Sequence, residues 1–175
     1  HLLVYEVSHP VPPRRSFRDT VLRVHELGGF CIVPHPMSFG IDAIQKSRLR
    51  EGLLNPEVAR TVLGIESING GLIRRNHLAA GLAEEFHLAS VGSSDGHNID
   101  AIGRVVTQFE GSSIRDLKTA LIHQKTAPMW RGRDSDLIYV AKHLTYSSLR
   151  KMGYAVGLDA HHRSPKLYPV EQLKK

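Results

Sequence analysis

Ala89-Ser90-Val91-Gly92-Ser93-Ser94-Asp95-Gly96-His97-Asn98 is a short apolar strand that runs into a polar loop carrying a carboxylate and an imidazole two residues apart. Strand side chains alternate with period two, so extended backbone points Asp95 and His97 the same way. Together they offer an oxygen and a nitrogen ligand to a borderline divalent metal. Gly92 and Gly96 are expected to permit the tight backbone of such a loop. An Asp-Gly-His turn is also a common surface feature, so the rest of the chain has to decide between the two readings.

Upstream, Gly71 to Phe86 reads as a long helix with Leu72, Ile73, Leu78, Ala79, Leu82 and Phe86 on its apolar positions. Before it, Thr61 to Ser67 is a strand with Glu66 and Asn69 near its exit. Pro56 to Arg60 and Ile41 to Leu53 read as helices. Phe30 to Val33 is a strand that ends in Pro34-His35-Pro36, where two prolines stiffen the backbone around a histidine. Ser16 is an N-cap, with Asp19 three residues on, for a helix that stops at Gly28-Gly29. Pro10, Pro12 and Pro13 make residues 8–15 a loop, and His1 to Val7 is a buried strand opened by a histidine.

Downstream, Ala101 to Phe109 is strand-like and Ser113 to Gln124 is an amphipathic helix. Past Pro128 the periodicity weakens; Leu137 to Met152 reads as a helix and Gly153 to Lys175 as irregular. Alternating strands and helices over the first 125 residues predict parallel strands joined by crossover helices, in an open α/β sheet or part of a β/α barrel. In a barrel, chemistry collects at the C-terminal ends of the strands. His35, Glu66 and the Asp95/His97 pair all fall at such ends, which favours a site.

The length of 175 residues suits one domain or most of one, and 41% hydrophobic with 23% charged residues is ordinary for a globular protein. Eleven histidines are unusually many. The single cysteine, Cys31, lies in an apolar run, so a buried reduced thiol of a cytoplasmic protein is expected and an internal disulfide is excluded. No apolar run approaches the ~18 residues of a membrane span. Of the net charge of +6, residues 131–175 hold +5 (nine Lys/Arg, four Asp/Glu). A basic tail is either a nucleic-acid contact or a solvated face. It lacks the interleaved aromatics of a single-strand binder, since Trp130, Tyr139, Tyr146, Tyr154 and Tyr168 are thinly spread.

Four stretches occur in order: His1-Leu2-Leu3-Val4-Tyr5, Gly28-Gly29-Phe30-Cys31-Ile32-Val33-Pro34-His35-Pro36, Gly64-Ile65-Glu66-Ser67-Ile68-Asn69 and Gly92-Ser93-Ser94-Asp95-Gly96-His97. Together they make the chain resemble the PHP family (polymerase and histidinol phosphatase), metal-dependent phosphoesterases. The resemblance covers residues 1–127 and implies the C-terminal portion of a distorted (β/α)7 barrel with parallel strands. Residues 128–175 are then a basic helical or irregular extension packing on the barrel. Carried over position by position, it implies His1, His35, Asp95 and His97 as metal ligands, with Asp95, His97 and His35 catalytic and with Glu66 and Asn69 supporting the site. Gly96 stands where the family commonly has Ala.

The family's barrel begins with a His-x-His strand and further ligands that do not occur in this sequence, and the chain opens on His1 rather than Met. A segment before His1 is therefore expected to supply the rest of a site for two or three divalent ions, Zn, Mn or Fe. The resemblance implies hydrolysis of phosphomonoesters or phosphodiesters of a phosphorylated small molecule or short nucleotide. Arg74, Arg75 and Arg104 are candidate phosphate clamps, with ordinary surface charge as their alternative. The competing functions are a non-catalytic PHP module attached to another protein, an inactive fragment, and nucleic-acid binding by the tail.

Overall fold

The structure is a computed structural model that describes residues 1–38, 43–71, 76–96 and 99–131. The expected helix at Leu137–Met152 and the irregular tail lie outside the described residues. In chain order the elements are β1 (Leu3–Tyr5), α1 (Phe17–Glu26), β2 (Phe30–Val33), α2 (Lys46–Leu53), α3 (Pro56–Thr61) and β3 (Val62–Asn69). They continue with α4 (Asn76–Glu85), β4 (Ala89–Ser93), a 3-10 turn (Ile99–Ala101), β5 (Val105–Phe109), α5 (Ile114–Ile122) and β6 (Thr126–Trp130).

Capping explains several of these boundaries. Ser16 accepts the backbone N–H of Asp19 at 3.1 Å and starts α1. Gly28, at φ +76°, ends it with the N–H of Gly29 reaching back to the Val24 carbonyl. Ser113 and Asp116 form a reciprocal capping box for α5. The expected helix from Ile41 starts only at Lys46, because the Ile44 carbonyl is taken by the backbone N–H of Met37 at 3.2 Å. The strand expected from Ala101 starts at Val105, after the 3-10 turn and Gly103 at φ +78°.

Strands β1–β4 form one sheet in that order, with β2, β3 and β4 parallel. Helices cover both faces. Val21 and Val24 of α1, Leu49 of α2, Val58 of α3 and Leu82 of α4 pack against Cys31, Val33 and Ile65 on one side. Leu121 and Leu117 of α5 meet Phe30, Ile32, Ala89 and Val91 on the other. All four residues of β2 are therefore buried, as a strand with helices on both faces requires. Each fully buried aliphatic side chain here is worth about 2 kcal/mol.

Two features depart from the all-parallel expectation. β1 pairs antiparallel with β2, Leu3 opposite Ile32 and Tyr5 opposite Phe30. β5 and β6 form a separate antiparallel pair. An apolar run reads the same in either direction, so hydrophobicity does not encode strand orientation. β6 passes through Pro128 because it bonds to a strand on one side only, where a missing N–H is tolerated. The mixed α/β sheet with crossover helices stands; closure into a seven-stranded barrel is not seen among the described residues.

Candidate functional site

The antiparallel course of β1 has a chemical consequence. It brings the start of the chain to the C-terminal end of β2, where Nδ1 of His1 lies 3.2 Å from Nε2 of His35. The two rings meet edge to face with centroids 5.2 Å apart. His35 sits between its two prolines with φ +30°, in the left-handed region that a residue with a Cβ rarely adopts. Its Nδ1 is buried and has no hydrogen-bond partner.

Glu66 lies at the floor of this end of the sheet, 2% exposed. A carboxylate so buried needs donors, and it has three. Oε2 accepts the backbone N–H of His35 at 2.5 Å and the side-chain amide of Asn69 at 2.9 Å, and Oε1 accepts the hydroxyl of Ser93. Glu66 and Asn69 are three apart, which in a regular strand sends side chains to opposite faces. The register between β3 and β4 shifts between Glu66 and Ile68, and this irregularity turns both side chains to the same place.

Asn69 also donates to Oδ2 of Asp95 at 3.3 Å, so one amide ties the β3 carboxylate to the β4 loop. Asn76, at the start of α4, holds Asn69 by its backbone. Its side-chain oxygen accepts the Asn69 N–H at 2.9 Å and its amide donates to the Asn69 carbonyl at 3.3 Å. Asp95 has φ +45°, while Gly96 is not in the left-handed region. The tight backbone expected of Gly96 therefore falls on Asp95, whose short polar side chain tolerates it. Gly92 is inside β4, where a Cβ would stand 2.8 Å from the Val106 carbonyl oxygen; its role is close packing against β5. Ser94 anchors the same loop by donating to the Val105 carbonyl at 3.1 Å.

His1, His35, Glu66, Ser93 and Asp95 line one cleft of about 410 Å³. Tyr5 stacks on Phe30 nearby; burial, and secondarily the charge of Glu66, raise its phenol above the usual value. His97, Arg74 and Arg75 lie outside the described residues. Arg104 is at the entrance to β5 and does not line the cleft; its carbonyl accepts the N–H of Arg131 at 2.7 Å. Ser93 and Asn76 are the members that motif reading missed. The available signal was Glu66 itself, since an acid inside an apolar strand demands donors from its neighbours.

Two imidazoles and a carboxylate suit Zn, Mn or Fe in kind, and the buried, unpartnered Nδ1 of His35 is the kind of atom that a ligand would satisfy. Both oxygens of Glu66 are already engaged. Among the described residues no three His, Cys, Asp or Glu side chains are grouped to hold an ion.

Comparison with known proteins bears out the resemblance to the PHP family over its C-terminal portion: residues 74–126 match the family model described as PHP-associated. No curated protein matches the chain. Among solved structures, a two-domain protein from Bacteroides vulgatus containing a predicted PHP-like metal-dependent phosphoesterase superposes with a TM-score of 0.56 at 19% identity. That match covers 74% of this chain and 40% of the other. PsfC from Pseudomonas syringae gives a TM-score of 0.48 at 18% identity, over 77% of this chain and 52% of its own. The chain thus spans about half the length of these proteins or less. No helix among the described residues is long and apolar enough to cross a membrane.

Proposed function

We propose that this chain carries the C-terminal half of a metal-dependent phosphoesterase site on a PHP-type barrel, with residues 128–175 as an extension of it. The observation that carries the proposal is the shared cleft of His1, His35 and Asp95 over the buried, fully hydrogen-bonded Glu66. Glu66 and Asn69 keep two strand ends in register, and with them the imidazole of His35 and the carboxylate of Asp95. Such fixed geometry is what a phosphoryl-transfer site requires of its protein.

His1, His35 and Asp95 would hold a divalent ion, with His97 as a fourth donor and the remaining ligands supplied from outside this sequence. A bound divalent ion polarises phosphoryl oxygens and lowers the pKa of water. Asp95 would accept a proton at whichever carboxylate oxygen does not hold the ion, and whichever of His35 and His97 does not hold the ion would deliver one to the leaving oxygen. The substrate class is a phosphomonoester or phosphodiester of a small metabolite or nucleotide, with Arg74 or Arg75 as clamps.

The test is elemental analysis of the purified chain after exposure to Mn or Zn, beside Asp95→Ala and His35→Ala. Near one equivalent in the parent and a loss of at least tenfold in either variant supports the reading. A parent that retains no metal, while a chain extended at its N-terminus also retains none, overturns it. The second reading, a non-catalytic PHP module, is favoured by the closed network around Glu66, which satisfies that carboxylate without an ion. Metal retention without phosphatase activity in the extended chain would select it.

A further inference from the structure

A second cleft, of about 880 Å³, meets the first at His1 and Leu2, which line both. Its character is opposite. The first cleft holds two carboxylates, Glu66 and Asp95; among the residues lining the second there is no Asp or Glu, and there are three arginines, Arg14, Arg15 and Arg48. No ion pair among the described residues engages any of the three.

The arginines are placed by two separate elements. Arg48 is on the first turn of α2. Arg14 and Arg15 lie between Pro12-Pro13 and Ser16, the N-cap of α1. Two prolines fix φ before them and the capped helix fixes the chain after them, with Arg14 itself at φ +61°. The turn is thus preorganised, which lowers the cost of ordering its side chains on a ligand. Three guanidinium groups without a carboxylate are a receptor for phosphate, whose oxygens match the guanidinium fork.

We propose that the arginine cleft binds a second phosphate of the same substrate whose scissile phosphate lies at His1, His35 and Asp95. This rests on the phosphoesterase reading of the first cleft and narrows its substrate class. The substrate would carry two phosphate groups on one scaffold, in a bisphosphorylated small molecule or at adjacent positions of a nucleotide chain. A monophosphate would fill only the first cleft.

The test is calorimetric binding to the full chain with Mn present, using fructose 6-phosphate, fructose 1,6-bisphosphate and 5′-phosphorylated dithymidylate. The expected result is at least tenfold tighter binding of one two-phosphate probe than of the monophosphate; which probe it is separates the sugar from the nucleotide source. R14A/R15A/R48A should abolish that preference while leaving monophosphate affinity in place. Arg115→Ala, an exposed arginine on α5 outside both clefts, should change neither, which controls for general loss of charge. If the triple variant fails to fold, R48A alone should reduce the preference at least threefold. Monophosphate binding with no two-phosphate preference, or a preference that R115A reduces as much as the cleft variants do, overturns the second-phosphate site alone. Absence of binding by all three probes, both to this chain and to a chain extended at its N-terminus, overturns the phosphoesterase reading and this inference with it.

Discussion

The backbone N–H of His35 donates to the carboxylate of Glu66 across 2.5 Å, joining the strained end of β2 to a buried charge on β3. Left-handed backbone at a non-glycine residue costs about 1–3 kcal/mol and persists only where its surroundings hold it. Glu66 is that hold. Glu66→Ala strands three donors, on His35, Asn69 and Ser93, around a carboxylate that is itself 2% exposed. Each unsatisfied buried group costs about 1–3 kcal/mol, so a total loss of about 3 kcal/mol or more is expected in urea unfolding. Glu66→Gln keeps an acceptor and should lose less. A change below ~0.5 kcal/mol for Glu66→Ala would remove the carboxylate from its place as the centre of this network.

Gly70 follows Asn69, and a Cβ there would stand 2.7 Å from the Ser94 carbonyl oxygen. That neighbour is backbone, so Gly70→Ala must push the exit of β3 away from the loop that carries Asp95. The Asn69–Asp95 hydrogen bond, already 3.3 Å, should break first. The expected outcome is a loss of about 1–3 kcal/mol with metal retention reduced in parallel. Stability that falls while metal binding stays at the parental level would show that the β3–β4 contact does not position Asp95.

How much of this was legible in the sequence differs from element to element. β2 fell where the apolar run Phe30–Val33 put it, and the ends of α1 and α5 were marked by Ser16, Gly28 and Ser113, because caps are local chemistry. His1, His35, Glu66 and Asp95 were each singled out by position, and they do share a cleft. What joins them was not legible. The antiparallel β1, the shift in register after Glu66 and the amide of Asn76 arise from pairing between distant segments, and local periodicity carries no record of partners. β6 was missed because Pro128 and an alternating, half-buried pattern resemble loop.

α5 supplies a test of local capping. Asp116 accepts the backbone N–H groups of Ser112 and Ser113 at 3.0 and 2.9 Å, and Ser113 Oγ accepts the Asp116 N–H at 3.1 Å. The Ser113 side chain, then these backbone bonds, hold the Asp116 carboxyl below its ordinary value. The depressed value means its contribution is present above the unfolded carboxyl's pKa and is lost as pH falls through the folded one. Ser113→Ala should cost about 1 kcal/mol at neutral pH. The gap between Ser113→Ala and the parent should narrow in acid; thermal melts at neutral and acidic pH check this, and a constant gap would count against the box.

Cys31 gives the alkaline counterpart. Its side chain is fully buried in the core formed by α1 and β2, and burial alone pushes the thiol up to about 12. An unfolded thiol titrates near 8.5. A group whose folded value is raised contributes stability that is complete below the unfolded value and is lost as pH rises towards the folded one. Between those two values the unfolded chain releases a proton that the native state keeps, and stability falls by about 1.4 kcal/mol per pH unit from this group. Lysines and tyrosines titrate in the same range, so the comparison is with Cys31→Ala, which shares them and lacks the thiol. The variant should be less stable at neutral pH, having lost core volume, and should decline less steeply between pH 9 and 11 in urea unfolding. Iodoacetamide should leave the native chain unmodified at pH 8 and label it once urea unfolds it, because only the thiolate attacks and the native thiol is neither ionised nor reachable. Labelling of the native chain as fast as of the unfolded one, or parallel pH slopes for parent and variant, would place Cys31 outside the core in solution.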